Sequence, residues 1–125
     1  MKQTPHISGA EWEVMKICWG KSPVTSQEVV DALSTPRQWH PKTVKTLLNR
    51  LVKKGAIGFT KAGRAYLYRP LVAQEDCVTA ESESFLDRVF GGSLKPMLAH
   101  FVENRKLSPK DIAELKDLLN RREKK

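Results

Sequence analysis

Residues 41–54 constrain this chain more than any other stretch. They join a periodic apolar stripe to a face made of basic, hydroxyl and amide side chains. Val44, Leu47, Leu48 and Leu51 fall at i, i+3, i+4 and i+7, which is one stripe of an α-helix. The other side shows Lys42, Thr43, Lys45, Thr46, Asn49, Arg50 and Lys53. Pro41 suits the first helical position, where its missing N–H would have no partner anyway. With His40 as the cap, Trp39 and Val44 stand at the spacing of a hydrophobic staple, which fixes the angle at which the chain enters the helix. Gly55 ends it. Residues 57–61 and 65–69 then alternate as two strands around Ala62-Gly63-Arg64. A helix able to sit in a major groove, followed at once by a basic hairpin able to lie on the backbone, is the layout of a winged helix-turn-helix. The plainer alternative is a well-capped surface helix.

Charge separates the two readings. The chain has 125 residues and a net charge of +8. Residues 1–70 hold 12 Lys/Arg against 4 Asp/Glu, whereas residues 71–125 hold 10 of each. The whole excess lies in the half that contains the helix and hairpin. A basic run is usually only a solvated face; an asymmetry this complete is an electrostatic footprint for phosphate.

The rest of the first half supplies a small core. Ser8-Gly9-Ala10-Glu11 has the pattern of a capping box and opens a helix to about Trp19, with Ala10, Val14, Met15, Ile17 and Cys18 expected inward and Gly20 as its stop. Trp12 and Trp19 read as core or rim packing rather than stacking platforms. Val24 is expected to pair briefly with the hairpin. Thr25-Ser26-Gln27-Glu28 is a second capping box and starts a short helix to about Leu33, with Val29, Val30 and Leu33 inward. Ser34-Thr35-Pro36 breaks it.

From Leu71 the pattern changes to helices only. Residues 73–84 are polar and acidic and read as a helix leading away from the first domain. Phe85, Leu86, Val89 and Phe90 follow, then a break at Gly91-Gly92 with Ser93 as the next cap. Leu94, Met97, Leu98, Phe101 and Val102 recur at helical spacing. Ser108 and Pro109 open a last helix with Ile112, Leu115, Leu118 and Leu119 as its stripe, before a charged tail from Arg121. About 55 residues are marginal as an independent core, so these stripes are expected to pair with a second copy. That gives a two-fold reader for a palindromic site. The residues expected to hold the dimer are Phe85, Leu86, Val89, Leu94, Leu98, Phe101, Ile112, Leu115 and Leu119. Folding back onto the first domain, or lining a ligand pocket, are the alternatives for the same stripes.

The expected fold class is therefore mostly α (α+β): a winged helix-turn-helix DNA-binding domain over residues 1–70, then a three-helix dimerisation domain over 71–125. No apolar run approaches 18 residues, which argues against a membrane span, and the first seven residues lack the apolar region of a signal peptide. Cys18 and Cys77 have no Cys or His at ligand spacing, so reduced structural thiols in the cytoplasm are expected. His6, His40 and His100 form no metal-binding pattern. There is no phosphate-cradling Gly-rich loop and no nucleophile elbow. A binding module without cofactor or metal is expected rather than an enzyme.

On these residues the chain resembles the penicillinase-repressor family of bacterial winged-helix regulators. The carrying segments are 7–16 (Ile-Ser-Gly-Ala-Glu-Trp-Glu-Val-Met-Lys), 39–51 (Trp-His-Pro-Lys-Thr through Leu51), Lys53-Lys54-Gly55-Ala56, the hairpin 63–68, residues 84–88, and Phe90-Gly91-Gly92-Ser93-Leu94. The resemblance implies a homodimeric repressor on operators with dyad symmetry, in the family those of β-lactamase or penicillin-binding-protein genes. It also implies a signal from a membrane sensor and release by proteolysis within the dimerisation domain. The family's cut falls at an Asn-Phe bond, and the matching pair here is His100-Phe101. Related copper-responsive repressors carry a C-terminal cysteine motif, absent from Asn120-Arg121-Arg122-Glu123-Lys124-Lys125.

Lys42, Thr43, Thr46 and Arg50 are expected to contact bases, with Arg50 able to fork onto guanine and the threonines able to meet thymine methyls or phosphate; Thr43, near the helix N-terminus, suits a phosphate as well as a base. Lys45, Asn49 and Lys53, with Lys61 and Arg64 from the hairpin, contact the backbone. Two further readings fit the residues: a ligand-responsive regulator, and a winged-helix protein-interaction module that does not read DNA sequence.

Overall fold

The structure, a computed structural model, describes residues 4–34 and 38–123. The helix break expected at Thr35-Pro36, the neighbouring Arg37, and Lys124-Lys125 of the tail lie outside the described residues. The chain forms two compact units, one ending at Ser82 and the other starting at Glu83.

In the first unit, helix α1 (Gly9–Gly20) begins with the expected capping box. Glu11 N–H donates to Ser8 Oγ at 3.2 Å, and Ser8 N–H donates to Glu11 Oε1 at 2.9 Å. The buried stripe is Glu11, Val14, Met15 and Cys18, which is again i, i+3, i+4, i+7. Ala10, expected inward, is exposed, and Ile17 is half-buried. The stripe passes through the carboxylate of residue 11 instead, because Ser8 and a lysine described below satisfy it there.

Strand β1 (Val24–Thr25) leads directly into α2 (Ser26–Ser34). The second capping box is also formed, Glu28 N–H to Thr25 Oγ1 at 3.1 Å and Thr25 N–H to Glu28 Oε1 at 2.9 Å. Val29, Val30 and Leu33 are buried. Helix α3 (Pro41–Lys54) has the expected bounds, with Pro41 in its first turn and His40 Nδ1 accepting the Lys42 N–H at 3.1 Å. Its buried residues are Val44, Leu47, Leu48 and Leu51. Gly55 stops it at φ 80°, a left-handed conformation that costs glycine little. Ala56 N–H then returns to the Leu51 carbonyl at 3.0 Å. This turn sends the chain straight into β2 (Ile57–Ala62), and Gly63, at φ 64°, turns it into β3 (Ala65–Pro70).

The sheet is antiparallel with order β1-β3-β2. Val24 lies opposite Tyr68, so the short strand expected at Val24 does pair with the hairpin. In the hairpin, Phe59 faces Tyr68 and Lys61 faces Tyr66. Strand alternation puts these four side chains on one face, so the two tyrosines share a side.

One apolar cluster joins α1, α2, α3 and the sheet, and takes in Cys77 from α4 (Gln74–Phe90). Trp12, Trp19 and Trp39 are partly buried against it. Trp12 and Trp19 meet edge-on at 5.6 Å, and Trp19 Nε1 donates to the Val72 carbonyl at 3.0 Å. These are packing roles. Both cysteines are buried and free. Burial pushes the Cys18 thiol up to about 11 and the Cys77 thiol upward as well, so both stay protonated and unreactive at neutral pH.

The second unit holds the rest of α4, then α5 (Leu94–Asn104) and α6 (Pro109–Glu123). α4 is one continuous helix of 17 residues, and Gly91 and Gly92, both with positive φ, end it. Ser93 takes the N-cap position of α5, yet its side chain makes no capping hydrogen bond. Ser108 does cap α6, accepting from Asp111 N–H at 3.0 Å. No residue of α5 or α6 is buried. Among the described residues no helix is long and apolar enough to cross a membrane.

Candidate nucleic-acid interface

The residues from Pro41 to Pro70, which make α3 and the hairpin, include eight Lys/Arg and no Asp or Glu. The acids that precede α3 lie on α1 and α2, and each has a partner. Glu13 pairs with Lys16 at 3.0 Å, Glu28 with Lys21, Glu11 with Lys54, and Asp31 accepts from Gln27 at 2.8 Å. The positive field of α3 and the hairpin therefore has no internal counter-charge except at Lys54, and uncompensated charge on one surface attracts and orients polyanions.

Lys54 is the exception, and it is not among the residues expected to contact DNA. Its Nζ instead contacts Glu11 Oε1 and donates to the His6 carbonyl at 2.9 Å. Glu11 is 2% exposed. Burial raises its pKa, but the Lys54 contact and the Ser8 hydrogen bonds outweigh this, so the carboxyl sits below its ordinary range. The pair ties the last turn of α3 to the first turn of α1. It holds the helix by the end that Gly55 also fixes.

All the residues expected to contact bases, Lys42, Thr43, Thr46 and Arg50, are exposed on the side of α3 away from the core. So are Lys45, Asn49 and Lys53. Thr46 Oγ1 donates to the Lys42 carbonyl at 2.9 Å. That bond uses the hydroxyl proton within the helix and leaves the oxygen free only to accept. Lys61 and Arg64 are exposed beside the hairpin turn. Arg69 Nη2 donates to Thr60 Oγ1 at 3.3 Å, across the opposite face of the hairpin from Tyr66.

Between α3 and the hairpin lies an open cleft of about 340 Å³, lined by Asn49, Val52, Lys53, Phe59, Tyr66 and Tyr68. Phe59 packs edge-on against Tyr66 at 5.0 Å and tilted against Tyr68 at 5.9 Å. Sequence reading gives Phe59 no role. The available signal is its alternation with Lys61, which puts the ring on the tyrosine face.

In the second unit, the nine residues expected to pair two copies divide by exposure. Phe85 and Leu86 are half-buried, and Phe85 meets Phe90 at 5.9 Å. Val89, Leu94, Leu98, Phe101, Ile112, Leu115 and Leu119 are all exposed. His100 is exposed too, with its ring 5.7 Å from Phe101 and 6.2 Å from Phe90. Among the described residues, no group of three or more His, Cys, Asp or Glu could hold a metal ion.

Comparison with known proteins agrees with this geometry. Residues 7–121 match the family described as penicillinase repressor. A penicillinase repressor of Bacillus licheniformis is 44% identical over 119 residues, 95% of this chain and 93% of its own length. The methicillin resistance regulatory protein MecI of Mammaliicoccus sciuri is 37% identical over 120 residues, covering 96% of this chain and 98% of the relative. The solution structure of the Bacillus licheniformis BlaI monomeric form, in complex with the blaP half-operator, superposes with a TM-score of 0.54. It is 46% identical and covers 61% of this chain and 93% of that one.

Proposed function

Because this chain belongs to the penicillinase repressor family, we propose that it represses transcription as a homodimer bound to a palindromic operator. It is a DNA-binding repressor of that type and not an enzyme. The observation that carries the reading is the acid-free, basic surface of α3 and the hairpin, built on a fold whose 46% identical relative was solved on a half-operator. Within it, Lys42, Thr43, Thr46 and Arg50 read bases. Lys45, Asn49, Lys53, Lys61 and Arg64 hold phosphates. Residues 1–70 form the reading head and 71–125 the dimerisation part.

The dimer reading is supported by the apolar side chains of α5 and α6, which are exposed in the single chain. A stable pairing surface buries on the order of 1,200–2,000 Å² or more, and such stripes meet that need by pairing with a second copy. The regulated genes are of β-lactamase or antibiotic-response type. Release follows a cut between His100 and Phe101 by a protease answering a membrane sensor. Both residues are exposed in the single chain, so the bond is open to a protease when two copies are not paired.

Sequencing of DNA fragments enriched by the purified full-length protein tests the proposal. A recurrent palindrome with half-sites about one helical turn apart, or a multiple of it, is the expected result. Enrichment without any shared sequence would leave a winged-helix scaffold that does not read bases.

A further inference from the structure

The α3–hairpin cleft is continuous with the surface proposed to meet DNA, yet half of its lining comes from rings that no DNA role has so far used. One wall is a turn of α3, Asn49, Val52 and Lys53; the other is Phe59, Tyr66 and Tyr68. Tyr68 belongs to the core at 8% exposure, whereas Phe59 and Tyr66 are 48% and 44% exposed. Two adjoining half-open rings on an otherwise basic surface form a small apolar patch that a bound group can cover. The cleft has no acidic lining, and Lys53 and Asn49 have no hydrogen-bond or ion-pair partner among the described residues. Lys61 stands across the hairpin from Tyr66 and adds a second cation at the rim.

The chemistry that fits is an anion carried on a compact apolar ring system. A volume of about 340 Å³ lies near the lower bound of ordinary small-ligand sites, roughly 300 Å³, which is room for one such unit. A nucleic-acid strand supplies that unit repeatedly, as a phosphate joined to a deoxyribose. Resting on the proposed DNA-binding function, we propose that this cleft seats one sugar–phosphate unit of the operator. The Tyr66 hydroxyl and the Lys53 ammonium hold the same phosphate, and the Phe59 ring packs on the attached deoxyribose. Tyr66 and Phe59 thereby become contact residues, and helix and hairpin grip the strand from two sides at one point. The aromatic wall adds affinity that salt does not screen, beside lysine contacts that salt weakens.

The test uses full-length protein and the enriched operator, with Tyr66→Phe, Lys53→Gln and the double variant. Tyr66→Phe removes one hydroxyl from a half-exposed ring, so unchanged thermal unfolding is expected and is measured alongside. Tyr66→Phe should weaken binding about 3–10-fold, the usual effect of one missing hydrogen bond, with the salt slope unchanged. Lys53→Gln should weaken it and lower the slope by roughly one. A scan of single neutral methylphosphonates along each strand then locates the contact. At one position, and the same one, the neutral linkage should abolish the effect of both substitutions. Sensitivity at two different positions, or no loss of affinity in Tyr66→Phe, would overturn the shared seat. Failure of the wild-type protein to prefer the operator at all would instead defeat the DNA-reading proposal, so the two failures are distinct.

Discussion

Arg50 and Lys54 lie four residues apart on one helix, and their surroundings give them opposite duties. Arg50 is exposed and unpaired among the described residues, so its planar fork is free for a guanine edge. Arg50→Ala should cost about 1–3 kcal/mol of binding and relax preference at one base pair; equal weakening on all sequences, measured by binding to single-substituted operators, would reassign it to the backbone. Lys54 is engaged with Glu11, and loss of either partner acts on stability instead. Lys54→Met should destabilise the first unit by about 1.5–3 kcal/mol, as for a hydrogen bond to a charged group, in denaturant unfolding at neutral pH. The Glu11 carboxyl has a folded pKa below its ordinary value of 4.5. Its contribution is therefore complete above about that pH and drains away as pH falls through the depressed folded value. Glu11→Gln should flatten this part of the acid limb of the stability curve while lowering stability at pH 7.

The elements show why some of this is legible in sequence and some is not. Helix α3 can be bounded to the residue because every signal is local: Pro41, the His40 cap, a four-residue stripe and Gly55. Both N-terminal capping boxes and the pairing of Val24 with the hairpin also follow from short-range patterns. What escapes is contact between distant positions. Glu11 is 43 residues from Lys54, and no period links them, so a capping glutamate hides its part in a partly buried ion pair and Ala10 takes its place in the expected stripe. Phe59 escapes for the same reason, since the cleft exists only once Gly55 has folded β2 back beside α3. The hairpin should otherwise act as a phosphate clamp. Removing charge at Lys61 and Arg64 together should reduce the salt slope of operator binding by roughly one unit for each phosphate no longer neutralised; an unchanged slope would put the hairpin tip off the DNA.

At the scale of the whole molecule, the two units differ in how completely each buries its apolar groups. The first has a core of its own, with Val14, Met15, Cys18, Val29, Val44 and Leu51 fully shielded. Residues 1–82, which keep Val72 and Cys77 with that core, should therefore fold alone, run as a monomer and bind an operator half weakly. The full chain should sediment as a dimer at micromolar concentration. A fragment ending at His100 keeps the reading helix but lacks Phe101, Val102 and all of α6. It should hold the palindrome only as tightly as a single head does, and retention equal to the intact protein in a gel would exclude cleavage at that bond as the release step.

The bare apolar faces of α5 and α6 have a consequence for dosage. A reader that must pair before it grips is formed in proportion to the square of its abundance when copies are scarce. Halving the concentration of chains would then remove about three quarters of the competent dimers, so a rise in turnover, or one doubling of cell volume without new synthesis, would open a promoter without any inducer touching the DNA-reading head.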